Sequence, residues 1–446
     1  MSGARVAVVG GGLAGIAATL ELADNGADVT LFESRSRLGG ATYSVQRNDH
    51  WIDNGQHVLL RCCTAYRAFL ARLGVEHLVP IQPRLRIPIL REGKPPAFLH
   101  RAPLPAPLHL VPTLLRYALL ERRERAGALR AAAALRRLDP ADPSLDDLTF
   151  GDWLRGHGQS EAALAELWDL ITVPTLNLPA ADASLALATF VFRTGMLDAA
   201  NASDIGVPTV PLQQLHGDAA TAALEAAGAR IVLGAPARAV ESTRVVFDSG
   251  AEDVDAAIVA VQHDAVAQVV PDGVVDAGAL ERLGVSPIVN LHVHYDRRVL
   301  DEPFAAAAAE SPLQWLFDRT GSSGVRVGQL VSVSLSSAAT EISEPIATLR
   351  ERYLPALERL LPNARGAEVL DFTATREPRA TFRAAPGSAR LRPGTRTGVT
   401  GLYLAGAWTA TGWPATMESA VRSGRAAAAA LLEDLSEGRH DRRAAA

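Results

Sequence analysis

The first apolar run, Val6-Ala7-Val8-Val9, is short and β-branched and ends at a glycine turn, which predicts a buried parallel strand over 5–9. An alanine-rich stretch over 14–25 stops near Gly26 and predicts a helix. Asp28 to Glu33 (DVTLFE) returns to a strand pattern. Strand, helix and strand together fill about thirty residues, the length of a right-handed crossover. Helical periodicity recurs over 58–74, 113–138, 150–170, 180–198, 212–227, 343–361 and 415–433. Strand patterns recur at Arg230 to Leu233, Val245 to Asp248, Ala256 to Val261, 287–295, 327–335 and 401–405. Prolines crowd 80–112, residues 139–147 (DPADPSLDD) read as an acidic linker, and Ser436 to Ala446 reads as a frayed polar tail. No internal repeat interrupts this order.

Composition narrows the classes. A chain of 446 residues is too long for one small binding module and suits two large units or three ordinary ones. A net charge of -5 lacks the positive field that nucleic-acid binding needs, so no nucleic-acid partner is expected. With 48% hydrophobic and 21% charged residues the chain is globular rather than disordered. Its only cysteines, Cys62 and Cys63, are adjacent, which excludes a disulfide scaffold and a cysteine metal centre; no metal site is expected. Lys94 is the single lysine beside 80 alanines, a bias that GC-rich codons explain. Met1 to Arg5 lead straight into the first strand without a secretory pattern, and the uncharged stretches 102–115 and 397–417 are broken by prolines or glycines. A cytoplasmic location, soluble or peripheral to a membrane, is expected.

The first chemistry lies in VAVVGGGLAG, where Gly10, Gly12 and Gly15 form G-x-G-x-x-G between strand and helix. The three glycines permit a tight turn, close approach of a pyrophosphate and close helix packing, and the free N–H groups at Leu13 and Ala14 open the helix toward phosphate. Glu33 stands eighteen residues after Gly15 at the end of the second strand, where a carboxylate binds ribose hydroxyls. Ser34, Arg35, Arg37, Gly39 and Gly40 continue as a second arginine and glycine turn, suited to another part of a long dinucleotide or to a solvated loop. Near the other end, Gly401 to Gly406 is a strand running into a glycine, and Ala415-Thr416-Met417-Glu418 opens a helix. That helix start either faces an isoalloxazine or is an ordinary corner.

Together VVGGGLAG, FESRSRLGG and LYLAGAWTATGWPATMESAVRSG resemble the flavin-containing amine oxidase and phytoene desaturase superfamily. GARIVLGAPARAV and DAAIVAV resemble its adenine-side segment. Within it, IDNGQHVLLRCCTAYRAFL, PIVNLHVHYDRRV and QWLFDRTG are most similar to the hydroxysqualene dehydroxylase family of bacterial hopanoid synthesis. The resemblance implies an α/β fold: a Rossmann-like, glutathione-reductase-like FAD-binding domain interleaved with an α+β substrate domain. The FAD-binding part then takes 1–84, 201–285 and 396–436, the substrate domain a helical part over 85–200 and a sheet part over 286–395, and 437–446 remain a flexible tail.

The resemblance implies non-covalent FAD held by Gly10, Gly12, Gly15, Glu33, Arg37, Gly39, Gly40, Ala237 and Gly406, with the 415–420 turn and Gly55, Gln56 and His57 by the ring. Ala407 stands where the family usually carries an acid, which puts one flavin hydrogen bond in doubt. The implied reaction removes an allylic hydroxyl from hydroxysqualene, a C30 isoprenoid alcohol, to give squalene; the electron donor is not implied. His57 is the candidate proton donor, since histidine titrates near neutrality, or else a packed residue. Asp53 is the second catalytic candidate, or a turn cap before Gly55. His292 and His294 share one face of their strand with Asn290 and, with Trp413, either line the substrate site or lie on a solvated face.

Residues 100–137 carry eight arginines against Glu121 and Glu124 beside an apolar run. Segment 97–137 therefore either docks on anionic lipid at the inner face of the cytoplasmic membrane or forms a solvated helix pair. Three rival functions remain. Amine oxidation of this fold commonly uses a lysine near the flavin, and Lys94 sits in a proline-rich stretch, which counts against it. A carotenoid-type desaturase would run the flavin oxidatively. A non-catalytic FAD-binding scaffold would pass isoprenoid intermediates between membrane enzymes.

Overall fold

The computed structural model describes the backbone of residues 3–444 and the side chains of 3–437. Five parallel strands form the first sheet, in the order Leu402–Leu404, Ala256–Val259, Arg5–Val9, Asp28–Phe32 and Arg230–Val232. Except in the half-buried edge strand Arg230–Val232, their buried runs of Val, Ile, Leu and Ala are those of strands covered on both faces. Helices Leu13–Asp24 and Met417–Ala444 cover one face. They cross so closely that a Cβ on Gly424 would lie 2.0 Å from the Ala14 carbonyl oxygen. An antiparallel ribbon of Ala237–Val240, Arg244–Phe247 and Gly250–Asp253 lies on the other side, with Phe247 against Phe32 at 4.8 Å.

A second sheet of seven strands runs Val369–Phe382, Val285–Tyr295, Gln329–Ser336, Trp315–Asp318, Phe304–Ala307, Arg86–Arg91 and Lys94–His100. It is antiparallel except where Phe304–Ala307 pairs with Arg86–Arg91. Helix Ile346–Leu360 seals one face through Leu349, Tyr353 and Leu357. The helices between Val111 and Leu197 pack around the remaining large core, where Phe150, Trp168 and Phe192 contact Leu and Ala side chains.

The structure corrects several expectations. The hairpin Arg86–Arg91 and Lys94–His100 lies where prolines suggested breakage; Pro95 and Pro96 fall on an edge strand, which needs no N–H on its open side. Segment 85–200, expected to be helical, thus begins by completing the seven-stranded sheet. The helix expected over 58–74 starts only at Thr64, because Leu59–Leu60 pairs with Ile205–Gly206. The linker expected over 139–147 is a 3-10 turn that buries Asp146, whose carboxylate accepts from Ser184 Oγ (2.9 Å) and the Ala389 N–H (3.0 Å). The expected tail is helical as far as 444, and 445–446 lie outside the described residues. The 14-residue strand Val369–Phe382 carries no alternation that the sequence betrays, since most of it is only half-buried.

Candidate functional site

The glycine turn after Arg5–Val9 is built by backbone against backbone. Gly10 takes φ 115°, and a Cβ there would stand 2.5 Å from the Ala260 carbonyl oxygen; on Gly15 it would stand 1.9 Å from that of Gly10. Leu13 and Ala14 bury their side chains, so only their main chain faces outward, and Gly12 caps the helix with no side-chain bond. The second turn closes on the first: Gly40, at φ 57°, would bring a Cβ within 2.7 Å of Gly12 Cα. Only glycine fits there.

Glu33 is buried between the two turns. Its carboxylate accepts from the Gly11 N–H (2.6 Å), the Arg35 N–H (2.8 Å) and Ser34 Oγ (3.1 Å). An ionised carboxylate has about four acceptor sites, so one remains for a ribose hydroxyl. Arg35 and Arg37 both reach the Gly40 carbonyl, and the Arg37 guanidinium lies 3.5 Å above the Tyr43 ring. Burial, with Arg35 beside it, lowers the Arg37 pKa. Ala237 starts the antiparallel ribbon opposite Phe247.

A polar centre lies under the hairpin Ser44–Arg47 and His50–Asp53. Asp53 Oδ1 accepts from Ser44 Oγ (2.6 Å) and the Leu212 N–H (3.0 Å), while Oδ2 accepts from Arg319 Nη2 (2.7 Å); both side chains are more than nine-tenths buried. Asp53 is therefore the fixed partner of Arg319, which corrects its placement as a proton carrier. Asn54 ties three segments together. Its amide donates to the Ala41 carbonyl and Glu377 (2.9 Å each) and accepts from the Tyr43 N–H, while its carbonyl accepts from Asn290 Nδ2 (3.0 Å) and Thr375 Oγ1 (2.9 Å).

Gly55, Gln56 and His57 follow directly. The imidazole folds back so that a Cβ on Gly55 would lie 2.9 Å from Nε2, and Gln56 Nε2 is buried with no partner. Burial pulls the half-buried His57 down to about 4, with Asp53 opposing and Arg319 reinforcing the shift. Its imidazole is thus neutral at pH 7, which corrects the expectation of titration near neutrality.

His292 and His294 are also corrected as substrate contacts. His292 Nδ1 lies 2.9 Å from Ser332 Oγ and Nε2 lies 3.1 Å from Thr375 Oγ1, so both nitrogens are taken. His294 Nε2 meets the Val327 carbonyl at 2.7 Å, and its ring lies 5.8 Å from that of His50. Their strand face packs against the hairpin.

Gly406 (φ 148°) donates its N–H to Ser423 Oγ at 2.8 Å and opens the C-terminal turn. Arg392, buried and without a carboxylate partner, gathers the carbonyls of Ala407, Trp408 and Thr409; burial lowers it to about 10, so it stays charged at pH 7. Thr416 Oγ1 accepts from the Ser419 N–H at the helix start, beside half-buried Ala415 and Met417. Glu418 is spent elsewhere: its carboxylate accepts from the Ala65 N–H (3.1 Å), the Tyr66 N–H (2.7 Å) and Arg422 Nε (2.7 Å). It caps helix Thr64–Arg72, which corrects its placement on a cofactor. Trp413 stands edge-on to Phe190 at 4.9 Å, where the C-terminal turn meets the helical region.

Sequence reasoning missed Arg319, Asn54 and Arg392. Asn54 and Arg319 stand inside IDNGQH and FDRTG, so their motifs were visible and their roles were not. Arg392 left no signal. Among the described residues no cluster of His, Cys, Asp or Glu could hold a metal ion, and no helix is long and apolar enough to cross a membrane.

The paired glycine turns, the spare acceptor site on Glu33 and the unpartnered Gln56 amide suit a bound dinucleotide. Comparison with known proteins agrees. Over its length the chain is 26% identical to hydroxysqualene dehydroxylase of Sinorhizobium fredii (442 residues; 96% of this chain, 99% of that one). It is 24% identical to a probable zeta-carotene desaturase of Synechococcus elongatus (493 residues; 96% and 98%). An oxidoreductase from Methanosarcina mazei shares the fold with a TM-score of 0.74 at 17% identity, covering 95% of this chain and 99% of that one. The family model for flavin containing amine oxidoreductases matches residues 13–432, and the chain belongs to that family, which implies a flavin cofactor.

Proposed function

We propose that the protein is an FAD-dependent oxidoreductase that removes the allylic hydroxyl of hydroxysqualene to give squalene. The observation that carries this reading is the compact alignment with the Sinorhizobium dehydroxylase, 442 residues against 446 in this chain, where the desaturase alignment needs 493. The position of Lys94 supports it, since the only lysine is exposed on the outer edge strand.

The cofactor is FAD, held without a covalent bond by the glycine turns and Glu33, with Arg35 and Arg37 beside them. When bound and reduced it supplies hydride to the carbon that loses oxygen. The C–O bond breaks, a C–H bond forms, and the hydroxyl leaves as water with a proton, so that hydride and proton together are the two hydrogens that a fully reduced flavin would give up. His57 donates a hydrogen bond from its neutral imidazole to that oxygen. Arg319 and Asp53 hold the hairpin behind it, and the apolar core around Phe192, Met196 and Trp408 excludes water from the cationic carbon.

The enzyme acts in the cytoplasm, at the inner face of the membrane where its substrate partitions. Leu104, Leu108 and Leu115 are exposed in the same stretch of chain as the exposed Arg116, Arg122, Arg130 and Arg137, which make no ion pair among the described residues. That surface suits anionic lipid, and vesicles that fail to co-sediment the protein at low salt would remove this part.

The test is anaerobic. Chemically reduced enzyme mixed with hydroxysqualene is expected to reoxidise its flavin and release squalene in equal amount; no reoxidation overturns the proposal. The Synechococcus relative favours a second reading, carotenoid desaturation, for which zeta-carotene would instead bleach the oxidised flavin.

A further inference from the structure

Arg392 is buried at 7% exposure, yet every hydrogen bond it makes goes to a neutral oxygen. Nε donates to the Trp408 carbonyl and Nη2 to the Ala407 carbonyl (3.2 Å each), and Nη2 also reaches the Thr409 carbonyl and Thr411 Oγ1. The guanidinium lies 4.8 Å from the centre of the Phe382 ring. Asp146 is the one carboxylate whose charge it feels, and that group is held by Ser184 Oγ and the Ala389 N–H instead. Burial lowers Arg392 only to about 10, so the cation persists at pH 7. A buried charge without a counter-ion is costly. Carbonyls offset part of that cost, and a bound anion would offset more.

The peptide joining Ala407 to Trp408 is held from one side. Its carbonyl accepts from Arg392 Nη2 and from Ser419 Oγ (3.1 Å). Across a trans peptide the N–H points the opposite way, and the Trp408 N–H has no partner among the described residues. A bond from a cation polarises the peptide and makes that N–H a stronger donor. The turn is fixed in this pose, since Trp408 Nε1 donates to the Val261 carbonyl (2.9 Å), Thr409 Oγ1 to that of Gly406 (3.0 Å) and the Ala410 N–H to that of Pro393 (2.9 Å). It follows the carboxyl end of strand Leu402–Leu404, beside Ala256–Val259, where open parallel sheets bind ligands. The charge of Arg392 and the dipoles of the carbonyls it gathers add, so the face of the turn opposite Arg392 is electropositive.

We propose that Arg392 is a positioning residue for the cofactor, which acts through the main chain of 407–409 to make the site hold the reduced flavin more tightly than the oxidised one. The electropositive face favours whichever state of the ring carries negative charge, and that is the reduced ring once it has given up its proton. An acid at 407 would place a carboxylate on the same turn; Ala407 leaves the field of Arg392 unopposed. The proposal rests on the reading above that a flavin lies along this turn, and not on which substrate it turns over.

The experiment is anaerobic equilibration of the flavin-loaded protein with a reference dye at neutral pH. The bound flavin is expected to be reduced more readily than free FAD by a factor of ten or more, about 30 mV for a two-electron couple. Arg392→Gln, which keeps a donor for one carbonyl and loses the charge, should remove that preference. Arg392→Lys, which keeps the charge, should stay within threefold of wild type. A wild-type potential at or below that of free FAD would overturn the proposal without any variant. An unchanged potential in Arg392→Gln, with flavin held less tightly in both states, would also overturn it and make Arg392 a brace for the turn alone. Equal shifts in the Gln and Lys variants would remove the charge from the explanation. Protein that takes up no flavin would overturn the underlying reading together with the proposal, and the missing flavin absorbance tells that outcome apart.

Discussion

Around Gly10, Gly12 and Gly15 the constraint is backbone against backbone, spread over six residues of one turn and closed by Gly40 from the next. Around Asp53 one carboxylate gathers its partners: Ser44 Oγ from the adjoining hairpin strand, and the Leu212 N–H and the Arg319 guanidinium from two distant segments. The first region states its purpose in residue spacing, because a missing Cβ is required wherever two main chains touch. The second states nothing locally, because any carboxylate or guanidinium could stand in those positions until the fold brings them together. A binding cradle can thus be read from one motif, while the groups beside the reacting centre have to be found in space.

The sharpest way to break the first region is Gly15→Ala. Its Cβ would fall 1.9 Å from the Gly10 carbonyl oxygen, and backbone cannot swing away as a side chain tip would. Overpacking of this kind costs about 3 kcal/mol or more. Flavin content of the purified protein is expected to fall below about a tenth of wild type. Full flavin content would show that the turn is looser than its contacts indicate.

The second region breaks through its ion pair. Arg319→Met leaves the Asp53 carboxylate buried without its cation, a loss of about 3–5 kcal/mol for a pair this enclosed. Denaturant midpoints should show that loss, and adding Asp53→Asn to the same chain should recover a large part of it. Additive losses in the double variant would mean that the two side chains do not act as a pair.

How far the sequence reaches follows the same division. The parallel strands at 5–9, 28–32 and 256–259 were legible because buried strands are continuous apolar runs. The hairpin over Arg86–Arg91 and Lys94–His100 was hidden, since proline reads as a breaker until an edge position is known. Strand Val369–Phe382 was hidden because Arg376, Glu377 and Arg379 disguise its pairing with Val285–Tyr295. Among site residues, Glu33 was legible from its distance to the glycines. Arg392 was not, because its partners are main-chain carbonyls that leave no trace in composition.

Buried histidines make the stability of the fold depend on pH. Burial holds His57 and His292 near 4 and His216 near 3, whereas an unfolded imidazole titrates near 6.5. Between those values the unfolded chain binds more protons, so stability is whole above the unfolded value and drains as pH falls through 6.5 toward 4. His292 alone can contribute about 3 kcal/mol to that slope. His292→Gln, which retains an acceptor and a donor for Ser332 and Thr375, should flatten the acid limb of a melting temperature against pH curve. An unchanged limb would assign the acid sensitivity to other groups.

Glu418 gives the smallest effect and the finest distinction, because it lies inside the C-terminal motif yet points away from the cradle. Its oxygens take the second and third N–H groups of helix Thr64–Arg72, where a negative charge also meets the positive end of the helix. Glu418→Gln keeps one acceptor and removes the charge shared with Arg422, for a loss of about 1 kcal/mol. Melting temperature is expected to fall by a few degrees while flavin affinity stays within twofold of wild type. The opposite pattern, weakened flavin at unchanged stability, would place Glu418 with the glycine turns and make position in a motif a better guide to role than hydrogen bonding.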